Sequence, residues 1–318
     1  MQRYMLRRII NLIPVLVLIS IVVFSTVRVL PGDPARLLAA IDETGFVDPE
    51  VLAAVEKRYG LDKPVVTQYF EWVWGVMRGD WGVSLISSQD VFPQIRSRLS
   101  FTAQLAGLSW LLSMAIGIPM GVISALKRNS IRDIAVTSFA VSGIALPNFW
   151  LGMLMIIFFG VWLGWLPTGG YTSFQDSPID WARKMILPTI TLGTALSAVT
   201  MRQMRAALLE VMREDYIRTA RAKGLMESRV VLLHAMKNSL LPVITLSTLQ
   251  LGTLVGGTVV TETVFFLPGI GKFIVDAVIA KDFLVVQMGL MILTLGVLVA
   301  NLIADVSYAF LDPRIRFD

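Results

Sequence analysis

Few side chains in this 318-residue chain can carry bond-making chemistry. It has no cysteine and a single histidine, His234, which excludes thiol nucleophiles, disulfides, zinc-thiolate sites and multi-histidine metal centres together. No Gly-x-Ser-x-Gly is present to build a serine hydrolase, and His234 lies in a charged stretch, where a surface or loop-packing role is expected rather than catalysis. The uncharged runs 9–27, 99–126, 134–175, 185–201, 238–261 and 283–304 hold no acid, so an intramembrane aspartyl pair has no support. Gly269-Ile270-Gly271-Lys272 imitates part of a phosphate-binding loop, but Phe266 and Phe273 stand where that motif needs a glycine and a Ser or Thr. The chain therefore lacks a nucleotide site of its own and is expected not to be an enzyme.

Docking chemistry remains. Residues 202–237 spend a long, charged, helix-prone stretch on what would otherwise be a simple chain reversal, for which 2 to 8 residues suffice. Within it, Asp215 is positioned to cap a short helix over Tyr216 to Lys223, and Gly224 supplies the left-handed residue that ends one. Ala220 and Ala222 permit close backbone approach, while Arg218, Arg221 and Lys223 place positive charge at the end of the helix. That composition suits insertion into a groove on a partner, and a basic face laid on anionic lipid is the competing reading.

The elements that hold this stretch are apolar. The chain is 55% hydrophobic and 16% charged, with mean hydropathy +0.69, far from the composition of a soluble domain. Most of the uncharged runs approach or exceed the length that crosses a bilayer as helix, and six spans are expected. The first, behind Arg3, Arg7 and Arg8, is too long for a signal-peptide core, and Arg28-Val29-Leu30-Pro31 is no cleavage site, so it reads as a retained anchor. Ile134 to Trp165 is predicted as one long helix bent near Pro147, and the 185–201 helix extends past Arg202 and Arg205. With the N-terminus inside, the inner segments carry 16 Lys and Arg against 4 in the two short outer ones, which puts both termini in the cytoplasm. The net charge of +5 follows from that bias and does not point to nucleic acid.

The outer loop 28–100 is expected to fold. Asp48-Pro49 starts a helix that Gly60 ends, and Val65, Tyr69, Trp72 and Val76 share the face of a second helix begun near Pro64. Trp72, Trp74 and Trp81 pack this loop on the helix bundle, lie at the membrane surface, or belong to a surface on which a soluble partner docks. Thr102, Gln104, Ser109 and Ser113, with the Thr and Ser residues of 189–197 and 245–253, serve either as interhelical hydrogen bonds or as the lining of a path, which keeps a passive channel in view. Gly117 with Gly121 and Gly252 with Gly256 favour close helix contact.

Glu214-Asp-Tyr-Ile-Arg-Thr-Ala-Arg-Ala-Lys-Gly224, continuing through His234-Ala-Met-Lys-Asn-Ser-Leu-Leu-Pro242, resembles the cytoplasmic coupling loop of the dipeptide and oligopeptide ABC importer permeases. Leu30-Pro-Gly-Asp-Pro34, Pro268-Gly-Ile-Gly271 and Asp312-Pro-Arg-Ile-Arg316 are similar, in order, to the loop opening, external turn and C-terminal ending of that family's first permease. Relative to Gly224, the general importer loop's Glu-Ala-Ala is here Arg218-Thr219-Ala220, as in the peptide-importer version.

The resemblance implies an all-α membrane protein with the type I importer fold: residues 1–28 as tail and first span, 29–100 as an external helical domain, and 101–318 as the permease core containing the coupling loop 202–237. It implies a bacterial or archaeal plasma-membrane subunit paired with a second, homologous permease. Two cytoplasmic ATPases that bind the ATP and magnesium, and an external substrate-binding protein that delivers a peptide, complete the assembly. Glutathione and nickel chelates are alternative cargoes in the same family. The implied ATPase-coupling residues are Glu214, Asp215, Tyr216, Arg218, Thr219, Ala220, Arg221, Ala222, Lys223 and Gly224, and the implied gate residues are Pro268, Gly269 and Gly271. An intramembrane enzyme and a passive channel are the alternatives from other classes.

Overall fold

The computed structural model describes residues 2–29, 62–84 and 86–311, with isolated positions at 49, 50, 52, 53 and 57. The expected helix from Asp48 to Gly60 and the segments Leu30 to Pro34 and Asp312 to Arg316 lie mostly or wholly outside the described residues. Among the described residues the ordered elements are helical, apart from one isolated antiparallel bridge between Val83 and Asp90. In chain order they are α1 (Gln2–Val29), α2 (Val65–Met77), α3 (Val91–Leu126), α4 (Ile131–Ala145), α5 (Asn148–Met155), α6 (Pro178–Val211), α7 (Asp215–Ala222), α8 (Met236–Val264), α9 (Ile270–Ala280) and α10 (Phe283–Leu311). A π-helical stretch, Ile156–Trp162, prolongs α5, and another, Val230–Ala235, leads into α8.

By length and apolarity α3, α6, α10 and the helix from Glu227 into α8 can each cross a bilayer, and α4 with α5 passes as a bent fifth. The apolar part of α1, Ile10–Thr26, is shorter, so length and composition support four or five of the six expected spans. The bend expected near Pro147 is a break: α4 and the α5 segment turn by 104°. Leu146 is extended at φ −82°, ψ 125°, because the proline ring disfavours the helical region for the residue before it, and Pro147 restarts the chain as the N-cap of α5. The expectation for α6 holds, and the helix also begins earlier than its uncharged run. Ser177 accepts the Asp180 N–H at 3.3 Å, Pro178 occupies the first turn, and the helix carries Arg183 and Lys184 before the apolar stretch begins.

The chain divides into two compact units. One comprises residues 1–5, 100–272 and 296–318. Its framework is α6, which packs against α8, α4 and α5. Added Cβ atoms at Gly117 and Gly121 of α3 would lie 2.7 Å from Thr200 Cβ and 2.6 Å from Met204 Cβ, so these two glycines let the α3 and α6 backbones meet. The other unit comprises 6–99 and 273–295. There Phe24 of α1 takes Tyr69 and Trp72 of α2 at ring-centroid distances of 5.3 and 5.7 Å, and Ser20 and Tyr69 share a hydrogen bond of 2.7 Å. The Tyr69 and Trp72 face thus packs this part of the outer loop on the first helix. Trp81 stacks edge-on against Phe92, while Trp74 stays exposed beneath the Arg78 guanidinium.

Most of the polar residues in the spans bond within their own helices. Thr191, Thr194, Ser197, Thr245 and Thr248 donate to the carbonyl one turn back, at 2.6 to 2.9 Å. Among those that do not, Gln104 accepts from Trp181 Nε1 at 3.2 Å and Thr102 donates to Glu262 at 2.7 Å, while the Ser109 and Thr189 hydroxyls are buried without a hydrogen bond among the described residues.

Candidate functional site

The short helix α7 has two faces. Ile217 and Ala220 are buried, while Glu214, Asp215, Tyr216, Arg218, Thr219, Arg221, Ala222, Lys223 and Gly224 are exposed. The buried pair joins a cluster with Leu208 of α6, Val230 and Ala235 of the π stretch, and Val243 of α8, with Leu225 packed against it. Full burial of an isoleucine such as Ile217 contributes roughly 1.5–3 kcal/mol, enough to hold a helix too short to be stable alone. Two expectations change here. Ala220 allows close approach, but to this chain's own core and not to a partner, because the helical period turns 217 and 220 to one side. Asp215 is the first helical residue and not the cap. The cap is Glu214, whose carbonyl takes the Ile217 and Arg218 N–H groups at 3.1 and 3.3 Å, while the Asp215 carboxylate pairs with Arg218 at 3.2 Å.

The end of α7 forms as expected. Gly224 has φ +77°, its N–H bonds the Arg221 carbonyl at 2.9 Å, and the Leu225 N–H bonds the Ala220 carbonyl at 3.4 Å. This is the paired hydrogen bonding of a Schellman stop, with Leu225 supplying the accompanying apolar contact. Beyond it, Arg221 meets Glu227 in two bonds of 3.1 and 2.7 Å, which raises the guanidinium further above its ordinary value. Asn238 Nδ2 donates to the Tyr216 hydroxyl at 2.8 Å. The start of the helix is thus tied to α8 and its end to the segment at Glu227, and the exposed face carries Arg218, Thr219, Ala222 and Lys223.

At the far end of α8 the turn 265–269 leads into α9. Gly269 and Gly271 are buried and Pro268 is half-buried. The reason is a residue that the sequence reading missed. Glu262, fully buried, accepts from the Thr102 hydroxyl at 2.7 Å and from the Lys272 N–H at 2.9 Å. The uncharged run ends at residue 261, yet α8 continues to Val264 and takes the acid with it. The helix-compatible Thr261-Glu-Thr-Val264 was the available signal, because a charge does not by itself end a helix.

A second polar site is a cleft of about 630 Å³ lined by Asn129, Asp133, Thr137, Ser138, Ser142 and Arg205, among others. Its charges serve each other: Asp133 receives Arg205 through two bonds of 3.1 and 2.9 Å, the Asn129 N–H at 3.0 Å, and the Ser124 hydroxyl. This ties α3, α4 and α6 together beside the turn 127–130. Among the described residues no group of three or more His, Cys, Asp or Glu side chains could hold a metal.

Comparison with known proteins places these features in context. Residues 117–317 match the model of the "Binding-protein-dependent transport system inner membrane component" family, and residues 1–106 match the model of its N-terminal part. A Brucella abortus (strain 2308) protein described as a peptide transport system permease is 40% identical over 318 residues, covering 100% of both chains. The glutathione transport system permease protein GsiC of Escherichia coli (strain K12) is 41% identical over 317 residues, again covering 100% of both. In fold, the chain is similar to an inward-facing methionine ABC transporter, MetNI, with TM-score 0.56 and 21% identity over 70% of this chain and 97% of that one.

Proposed function

We propose a function from an established premise: the chain belongs to the binding-protein-dependent transport permeases of the inner membrane, and is a multi-pass subunit of an ABC importer. As a transport subunit it moves cargo and is not itself an enzyme. The cargo we assign is a dipeptide or oligopeptide, with glutathione, itself a small peptide, as the closest alternative; relatives of both descriptions align over the whole chain. The subunit pairs with a second, homologous permease. Two cytoplasmic ATPase subunits, which bind ATP and magnesium, dock on α7, and an external binding protein delivers the substrate. Both termini lie in the cytoplasm.

The observation that carries this reading is the two-faced α7. Its inner face is packed into α6 and α8, and its outer face presents exposed Arg218, Thr219, Ala222 and Lys223. A push on that surface by closing ATPases cannot be absorbed locally, because the Schellman stop and the Arg221–Glu227 clip stiffen the exit. The displacement passes instead to the helices on either side, which rock and expose the path to the opposite side of the membrane. The absence of cysteine permits a clean test. Single cysteines at Lys223 and Ser87 in the assembled transporter are expected to react with a membrane-impermeant maleimide only from the cytoplasm and only from outside, respectively, and ATPase docking should protect the first. Labelling of Lys223→Cys from outside refutes the reading.

A further inference from the structure

The buried acid Glu262 has no part in the coupling device, and its surroundings are specific. It lies in the last turn of α8, where a negative charge opposes the helix dipole, and it is fully buried, so its position must be compensated elsewhere. The compensation comes from the start of α9. The Glu262 carboxylate accepts the N–H of Lys272, the third residue of that helix, at 2.9 Å, and the Thr102 hydroxyl at 2.7 Å. The same Thr102 oxygen accepts the N–H of Ile270, the first residue of α9, at 3.0 Å. The N-terminus of α9 is therefore capped not by its own preceding residue but by two side chains from two other helices, α3 and α8. Its partial positive charge faces a full negative one, the favourable arrangement of the helix dipole.

The glycines of the turn make room for this. A Cβ at Gly269 would overlap the Glu262 carboxylate, and one at Gly271 would lie 2.9 Å from Val259 Cα and 3.0 Å from Glu262 Oε2. Neither glycine has a positive φ, so close approach of the carboxylate, and not backbone conformation, requires the missing side chains. The exposed Phe266 follows in the turn at φ +52°, a strained conformation for an aromatic residue, held by bonds of the Phe266 and Leu267 N–H groups to the carbonyls of Thr263 (3.3 Å) and Glu262 (2.8 Å).

We infer that Glu262, with Thr102, is the positioning residue of the outer gate: it latches the turn 265–269 and the first turn of α9 to the ends of α3 and α8, so that all four move as one body when the importer alternates. This rests on the transport reading above. Because the latch is built from hydrogen bonds to a buried charge, it has one satisfied arrangement, and partial displacement would leave donors of Ile270, Lys272 and Thr102 unpaired. The gate accordingly switches between discrete positions and does not loosen gradually.

The test uses the complete transporter, both permeases with ATPases and binding protein, in proteoliposomes, with Glu262→Gln, Glu262→Ala, Thr102→Val, Gly269→Ala and the double variant Glu262→Ala with Gly269→Ala. The wild type is expected to show uptake and ATP hydrolysis stimulated by the liganded binding protein; if it shows neither, the transport reading fails and not this one. Glu262→Gln and Thr102→Val are expected to assemble normally and keep unstimulated hydrolysis. At saturating binding protein their uptake should fall by about tenfold, with the half-saturating concentration unchanged, as expected for a lost hydrogen bond to a charge. Gly269→Ala should reproduce the loss by itself yet add nothing to Glu262→Ala, since the clash disappears with the carboxylate. Uptake within twofold of wild type in Glu262→Ala, additive effects of Gly269→Ala and Glu262→Ala, or uptake losses in every variant that match lost complex would each overturn the inference.

Discussion

Gly224 offers the sharpest test of the proposed coupling role of α7, because its requirement can be separated into conformation and space. The residue is exposed, at φ +77°, and a Cβ built on it meets nothing within 4 Å, so a larger side chain is not excluded by any contact in this subunit. The cost of substitution is then conformational alone. An ordinary L-residue costs roughly 1–2 kcal/mol in the left-handed region, and a β-branched residue more. Asparagine, whose side chain tolerates that region, costs less. If the left-handed exit is abandoned, the two stop bonds at Arg221 and Ala220 go with it, at about 0.5–1.5 kcal/mol each. These costs are alternatives and the smaller one applies, so Gly224→Val costs about 2 kcal/mol locally, a factor of about thirty in the population of the native exit. Membrane insertion, which depends on the apolar spans, should be unaffected. Uptake of radiolabelled peptide by proteoliposomes, normalised to the amount of assembled complex, is expected to rank wild type, Asn, Ala, Val, with Val abolishing transport. Normal uptake by Gly224→Val, or an Asn variant as defective as Val, would refute the argument.

Two other perturbations have clear expected outcomes. Asp133→Asn leaves Arg205 facing a neutral amide in a largely buried site and is expected to cost about 3 kcal/mol, read as a lower unfolding temperature of the solubilised protein. Exchanging the pair, Asp133→Arg with Arg205→Asp, should not restore it, because Asp133 also serves Ser124 and the Asn129 N–H. Gly121→Val drives a branched side chain into Met204 and the Met201 carbonyl, 2.6 and 2.7 Å from the new Cβ, and is expected to destabilise by about 1–3 kcal/mol. Gly256→Val, with nothing within 4 Å inside the subunit, should leave the isolated chain as stable as wild type in the same thermal assay. If it nevertheless disrupts co-purification with the second permease, that glycine lies at their interface.

The readable parts of the chain were those governed by local rules. Charge-free runs revealed most of the spans, the small-x-x-x-small spacing of Gly117 and Gly121 anticipated a close helix contact, and the Lys223-Gly224 ending anticipated the left-handed stop. Each depends only on a few neighbouring residues and on the bilayer or backbone physics acting on them. The errors share a different cause. Asp215 was read as the cap because aspartate favours that position, but the helix begins one residue earlier, where Ile217 and Ala220 can both face the core. The Thr and Ser residues of α6 and α8 were weighed as bridges between helices, yet most bond to their own backbone, since a hydroxyl one turn from a carbonyl finds it before any neighbouring helix. At Pro147 the sequence pointed to a bend, whereas its size of 104° depends on how both halves pack.

The sequence by itself determined that the chain is a helical membrane protein and that it carries a short, charged, amphipathic helix between two apolar runs. Only the tertiary structure decided which face of that short helix is inward, and that the Gly-Ile-Gly turn is a cradle for the carboxylate of Glu262. The physical reason is distance along the chain. Thr102 and Glu262 are 160 residues apart, and no local propensity records that a buried acid on one helix will be neutralised by the dipole of another.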